Sequence, residues 1–109
     1  MPHTTDDNLG RRLFQVQKDK AVENAVEKMR RSIGKDWMSV SSADIEILKS
    51  VLGEAWTSID RHRWSTYIFS KLTPEDIQSL ITLGKKLKEN YSLTDEMIRQ
   101  LDVIMGRTV

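Results

Sequence analysis

The chain has 109 residues, the usual length of one domain, and about a quarter of them are Leu, Ile, Val or Phe. This apolar content is enough for one compact core and excludes the intrinsically disordered class. Charged residues make up 30% of the chain, yet the formal net charge is only +1. A domain that coats DNA usually carries a larger basic excess, so whole-molecule charge does not favour a polyanion as partner, although local basic patches are still compatible with one.

The chain contains no cysteine, which excludes disulfide bonds, thiolate chemistry and cysteine-ligated zinc. Residues 1–8 are polar and acidic and do not show the basic start and apolar stretch of a secretory signal. No run of about 18 apolar residues is present, so nothing in the sequence predicts a membrane-spanning helix. These features predict a cytoplasmic protein without a membrane partner.

A long first helix is predicted to begin at residues 6–8, where Asp and Asn side chains can cap it, and to end at Ile33. Gly34 can then adopt the left-handed conformation that ends many helices. No Gly or Pro lies between Arg11 and Ser32, which favours one unbroken helix. The predicted organisation is a disordered tail (1–7), a helical domain (8–106) and a frayed C-terminus (107–109).

The apolar residues of this helix fall on two faces. Leu9, Leu13 and Val16 form a short stripe, and at about 100° per residue the second stripe is turned by roughly 180° from it. The second stripe consists of Val22, Ala25, Val26, Met29 and Ile33. Because it is longer, it is expected to face the core, which leaves the short stripe and the neighbouring Arg12 as a candidate protein-binding site. The alternative is a break near residues 18–20 that folds the first segment onto its own domain.

Three further helix starts are marked by capping residues. Ser41 caps the second helix, whose apolar face is lost near Arg61, where a break is predicted. Thr73 caps the third and has the spacing of a capping box, and Thr94 caps the last, which Gly106 ends. No alternating pattern typical of strands is present. The predicted fold is therefore all-α, a small single-domain bundle of four to five helices with a long N-terminal helix.

Two positions in these segments carry more specific expectations. Gly84 lies on the apolar face of the third helix, which predicts close approach of a neighbouring helix, and Tyr91 is predicted to face inward on that helix. The connection at residues 35–40 contains Trp37, Met38 and Val40, so it is predicted to fold back on the core.

Residues that catalytic and metal sites use are sparse. The chain has two histidines, and His62, the one outside the predicted tail, lies between Arg61 and Arg63 with only Asp60 nearby as an acid that could orient it. The acidic pairs at 75–76 and 95–96 fall in first helical turns, where capping and the helix dipole explain them. The five Gly residues are isolated, so no phosphate-binding loop is formed. We therefore predict no enzyme activity, no cofactor, no metal site and no small-molecule substrate.

One basic segment supports an alternative function, a small nucleic-acid-binding protein. Arginines interleaved with aromatic residues can contact phosphates and stack on bases, and lysines on the third helix would add to the basic surface. The candidate contact residues are Arg61, Arg63, Trp64, Tyr67, Lys85 and Lys88. The competing interpretation is that Trp64 belongs to the core and that the arginines form a solvated rim.

The favoured prediction is a non-enzymatic protein-binding module, a regulator or adaptor, with Leu9, Arg12, Leu13 and Val16 at its interface. The partner is predicted to be either an identical chain in a two-fold dimer or an unrelated protein. No motif identifies a family, although the short, well-capped helices resemble in style the small regulators that phages and plasmids encode.

Overall fold

In the computed structural model the backbone is described for residues 2–106 and the side chains for residues 9–106. The described residues form five α-helices and no strand, which confirms the all-α prediction. The helices are α1 Pro2–Ile33, α2 Ser42–Ser58, α3 Arg61–Thr66, α4 Pro74–Asn90 and α5 Asp95–Met105, with short 3₁₀ segments at Gly34–Ser39 and Phe69–Lys71. Helix α1 begins at Pro2, ahead of the start predicted at residues 6–8. The side chains of the predicted tail (1–7) lie outside the described residues, and so does the predicted frayed end (107–109).

Helix α1 is continuous from end to end, so the predicted unbroken helix is confirmed and the alternative break near residues 18–20 is wrong. Its 32 residues would span about 48 Å at about 1.5 Å per residue. The whole molecule measures 51 × 28 × 28 Å, so this helix sets its long dimension.

One hydrophobic core lies between the C-terminal half of α1 and the helices α2, α4 and α5. Helix α1 contributes the buried Val22, Ala25, Met29 and Ile33, as its longer stripe predicted. The largest fully buried side chains of the other helices are Leu48, Val51, Leu52, Ile77, Leu80, Leu83, Leu101 and Met105. Burial of this many large apolar side chains is the main source of stability in a domain of this size.

The starts of α2, α4 and α5 are capped as predicted. The Thr73 hydroxyl accepts the backbone N–H of Asp76 (3.2 Å), and the Asp76 carboxylate accepts the backbone N–H of Thr73 (3.0 Å), which completes a capping box. Ser41 and Thr94 each accept the backbone N–H three residues further on. Each bond pairs an N–H that the helix itself leaves without an acceptor.

The predicted break near Arg61 is also present. Helix α2 ends at Ser58, and Asp60 caps α3 by accepting the backbone N–H of His62 (3.2 Å). The chain therefore changes direction between α2 and α3. This turn brings Arg61 over the Trp56 ring, whereas on one continuous helix two side chains five residues apart would point in different directions.

Two further details differ from the sequence predictions. Tyr91 is 89% exposed and not inward, because α4 ends at Asn90 and Tyr91 itself adopts the left-handed conformation (φ 63°). In the connection at 35–40, Trp37 and Val40 pack against the core as predicted, but Met38 points into solvent.

Gly84 marks the close approach that its position predicted. A Cβ atom placed there would overlap the Cγ2 atom of Ile47 and lie 3.1 Å from the Ile47 carbonyl oxygen. Gly53 is different, because a Cβ atom there would meet only Val22 Cγ2 at 4.0 Å, an ordinary contact distance. Helices α2 and α4 therefore pack closely because Gly84 has no side chain.

We expect Thr73→Ala to lower the free energy of unfolding by about 0.5–2 kcal/mol, because it removes the acceptor at the start of α4. Thr82→Ala is the matched control, since the Thr82 hydroxyl bonds only the Gln78 carbonyl of its own helix. The control should be neutral or slightly stabilising, because Ala has the higher helix propensity. Urea unfolding followed by circular dichroism measures both, and equal midpoints would contradict the capping role.

Gly84→Ala should lower the free energy of unfolding by about 1–3 kcal/mol, because the added methyl group forces α2 and α4 apart. Gly53→Ala makes the same chemical change in a buried helical position with room for a methyl group. It should leave stability unchanged or raise it by about 0.5–1 kcal/mol. Thermal unfolding of the two variants compares them, and a Gly84→Ala protein as stable as the wild type would show that this contact is not tight.

Candidate functional site

The candidate interface lies in the N-terminal half of α1. We call residues 9–20 the arm. All its side chains are exposed except that of Lys18, which is half-buried, and the first fully buried side chain of α1 is Val22. The core therefore holds the C-terminal half of the helix, and most of the arm's surface faces solvent.

Three apolar side chains of the arm form one continuous stripe. Leu9 and Leu13 are each 57% exposed and Val16 is 54% exposed. The spacing i, i+4, i+7 puts them on one face, and helical geometry turns that face away from the buried Ala25 and Met29. Single exposed apolar residues are ordinary, but a contiguous stripe is typical of an interaction surface.

Polar residues border this stripe. Arg12 is exposed on one flank, and Asp19, seven residues later, lies on the same flank two turns away. The Asp19 carboxylate accepts a hydrogen bond from the Gln15 side chain at 2.9 Å. Lys20 continues the line of the stripe with a long aliphatic stem. The structure thus brings the four predicted interface residues, Arg12 and the three of the stripe, onto neighbouring parts of one exposed surface.

A stack of three side chains connects the arm to the rest of the domain. The Phe14 ring packs edge-on against Trp56, with ring centroids 4.9 Å apart and an interplanar angle of 67°. The Arg61 guanidinium lies over the Trp56 ring, 5.1 Å from its centroid. Trp56 is buried but is not part of the main core cluster. Aromatic and cation–π contacts of this kind contribute about 0.5–2 kcal/mol each, so the stack fixes the arm against α2.

No pattern in the sequence predicts this stack. Phe14 falls between the two stripes of α1, and Trp56 shares the helical face of residues that are in the core. The only local signal was the unusual size of both side chains. Their contact depends on the packing angle of α1 and α2, which no local pattern specifies.

The basic segment is largely used in tertiary contacts. Arg63 forms an ion pair with Asp102 of α5, and the Tyr67 hydroxyl donates a hydrogen bond of 2.6 Å to the same carboxylate. The Tyr67 ring is buried, and the half-buried Trp64 ring packs against Phe69 with centroids 5.3 Å apart. The contacts with Asp102 join α3 and the residue that follows it to α5. Trp64 packs against the core, as the competing interpretation expected, but Arg63 is ion-paired and does not belong to a merely solvated rim.

The other candidate nucleic-acid contacts are Arg61, Lys85 and Lys88. Arg61 is exposed but lies over Trp56, and both lysines are exposed in the C-terminal part of α4. The nucleic-acid hypothesis stays a prediction. In this structure the Tyr67 ring is buried and the half-buried Trp64 ring packs on Tyr67 and Phe69, so only part of the Trp64 ring is left for stacking on a base.

Burial raises the pKa of the Tyr67 phenol, and the nearby Arg63 charge opposes this with a smaller effect. Burial raises the pKa because it disfavours the charged phenolate, and the Arg63 cation lowers the pKa because it stabilises the phenolate. Tyr67 therefore serves as a buried hydrogen-bond donor to Asp102 over the ordinary pH range.

Three further features bear on other kinds of function in residues 9–106: clustered metal ligands, a surface groove and the length of the apolar helices. No group of three or more potential metal ligands lies together there. An open groove of about 490 Å³ between α4 and α5 is lined by Ser79, Thr82 and Arg99 among others, and its lining includes no histidine. Within the described part of the chain, no helix has the length and apolar character needed to cross a bilayer.

The stability of the domain should fall as pH rises above about 10, where an ordinary tyrosine ionises. In that range the unfolded chain releases the Tyr67 proton while the folded chain keeps it, so the free energy of unfolding decreases with pH. Tyr91→Phe leaves Tyr67 as the single tyrosine, and its phenolate absorbance measures the titration directly. A Tyr67 midpoint at or below the ordinary value would contradict the burial effect.

Comparison of the chain with protein-family models, with curated protein sequences and with solved structures finds no match.

Proposed function

We propose that the protein is a non-enzymatic protein-binding module, a cytoplasmic regulator or adaptor, and that the arm of α1 is its binding element. The observation that supports this most strongly is the exposed stripe of Leu9, Leu13 and Val16 on an unbroken helix. The stripe faces away from the core, so the domain's own folding does not bury it.

The spacing of the stripe is the one with which a helix binds another helix or a groove. Anchors at i, i+4 and i+7 present one face over two turns, as amphipathic helices do when they bind apolar grooves or pair with each other. Complete burial of a Leu or Val side chain contributes roughly 1.5–3 kcal/mol. Two Leu and one Val at about half exposure therefore offer a partner several kcal/mol of apolar burial.

The position of the arm also favours binding. The stack of Phe14, Trp56 and Arg61 fixes the arm at its middle, and the core fixes α1 from Val22 onward. A partner thus meets a helix that is already formed and oriented, which lowers the ordering cost of association.

Nucleic-acid binding is the less favoured function, because Arg63 is paired with Asp102 and the aromatic rings of the basic segment pack against the domain. If it occurred, binding would weaken steeply with salt, since phosphate contacts release counterions. A fluorescence titration of the wild type and of Arg61→Ala/Arg63→Ala with DNA and RNA at low salt examines this alternative.

Replacing Leu13 and Val16 together by Asp tests the proposed function. Both side chains are exposed, so the variant should keep its helix content and its thermal midpoint close to the wild-type value. It should lose association with any protein that the wild type binds, because two charges replace the apolar stripe. Circular dichroism measures the fold, and light scattering and affinity capture with the two proteins as bait measure association.

Gln78→Asp/Thr82→Asp is the matched control, because it adds two Asp side chains at exposed positions of α4, outside the arm, without changing the stripe. It should retain association. If Leu13→Asp/Val16→Asp unfolds the domain, the stripe has a structural role, and if it binds every partner as the wild type does, the arm is not the binding element.

A further inference from the structure

We propose that the arm pairs in antiparallel orientation with the arm of a second copy of this chain, forming a two-fold dimer. This inference rests on the proposed function, because it names the partner of the same surface. It is carried by the exposed stripe together with the order of charges along its flank.

The register follows from the heptad positions of the stripe. Leu13 occupies an a position, Leu9 and Val16 occupy d positions, and Lys20 is the next a position. In an antiparallel pair, a residues lie opposite d residues, so Leu13 of each copy contacts Val16 of the other. Leu9 then lies opposite Lys20 of the second copy, whose aliphatic stem can cover it while the ammonium group stays in water.

The same register brings opposite charges together. Arg12 and Asp19 both occupy g positions, and g positions of antiparallel helices lie beside each other. With Leu13 opposite Val16, Arg12 of each copy lies beside Asp19 of the other, and the two-fold axis produces this pair twice. On the other flank Gly10 lies beside Gln17, and Gly10 has no side chain to hold the helices apart.

The parallel arrangement is less favourable. It would place Lys20 opposite Lys20 in the line of contact, and like charges directly opposed are destabilising. It would also place Arg12 beside Gln17, so no opposite charges would meet. The charge order of the arm therefore selects the antiparallel pair.

The geometry of the domain permits this pairing. The contact face of α1 is turned away from the core, and Lys20 and Glu23 on its continuation are exposed, so the second helix does not meet α2 or α4. The contact between residues 9 and 20 is only about 18 Å long. An interface of this length is smaller than those of stable dimers, so we expect a reversible dimer whose population rises with concentration.

Complementary charge reversals test the pairing with purified full-length protein. Arg12→Glu alone places two acidic side chains beside each other at both ends of the interface, and Asp19→Arg alone places two basic ones there. The dimer of each variant should be at least about tenfold weaker than the wild-type dimer. An equimolar mixture of the two restores both opposite-charge pairs, so it should form a mixed dimer within about threefold of wild-type affinity. Sedimentation velocity over a concentration series measures all four samples.

A wild-type protein that stays monomeric throughout the concentration series would overturn the proposal. So would a mixture that associates no better than its two components, since no antiparallel register would then pair these charges. Either result leaves the proposed function standing if capture of another protein still depends on Leu13 and Val16. If the stripe variant Leu13→Asp/Val16→Asp dimerises like the wild type, both the dimer and the binding role of the arm are wrong.

Discussion

Helical periodicity in the unbroken α1 is the constraint on which the candidate site depends. Because each residue of an α-helix turns by about 100°, burial of residues such as Ala25 and Met29 also fixes the direction of every side chain before them. The short stripe at residues 9–16 is out of phase with the buried one by about half a turn. It cannot reach the same core unless the helix breaks, and the helix does not break. Because α1 is continuous, the apolar side chains of the short stripe are exposed.

Two groups of side chains outside the main core maintain this arrangement. Phe14, Trp56 and Arg61 join the arm to the end of α2 and the start of α3. Tyr67 and Arg63 join α3 to α5 through the carboxylate of Asp102. The short α3 takes part in both, so it connects the arm to α5. The arginines that resemble a nucleic-acid site in the sequence are therefore structural side chains to a considerable extent.

In this architecture the core and the proposed binding surface are separate. The core uses the C-terminal half of α1 and the faces of α2, α4 and α5, and the proposed interaction surface uses the exposed N-terminal half of α1. Both surfaces include part of α1, but they lie on opposite faces of that helix. Substitutions on the stripe are therefore free to change association without loss of the fold, which is useful in a regulator or adaptor and makes the proposed role testable.

The sequence by itself determined the helical segments and much of the arm. Ser41, Thr73 and Thr94 mark helix starts because capping is a local interaction, and the two stripes of α1 follow from periodicity alone. Tertiary structure decided what local patterns do not contain. Tyr91 lies outside the core because α4 ends just before it, and Phe14 meets Trp56 because α1 and α2 pack at a particular angle. Arg63 and Tyr67 meet Asp102, a residue more than thirty positions away, because α5 packs beside α3. Contacts between distant segments depend on packing angles and on the competition among many apolar faces, and no short stretch of sequence specifies these.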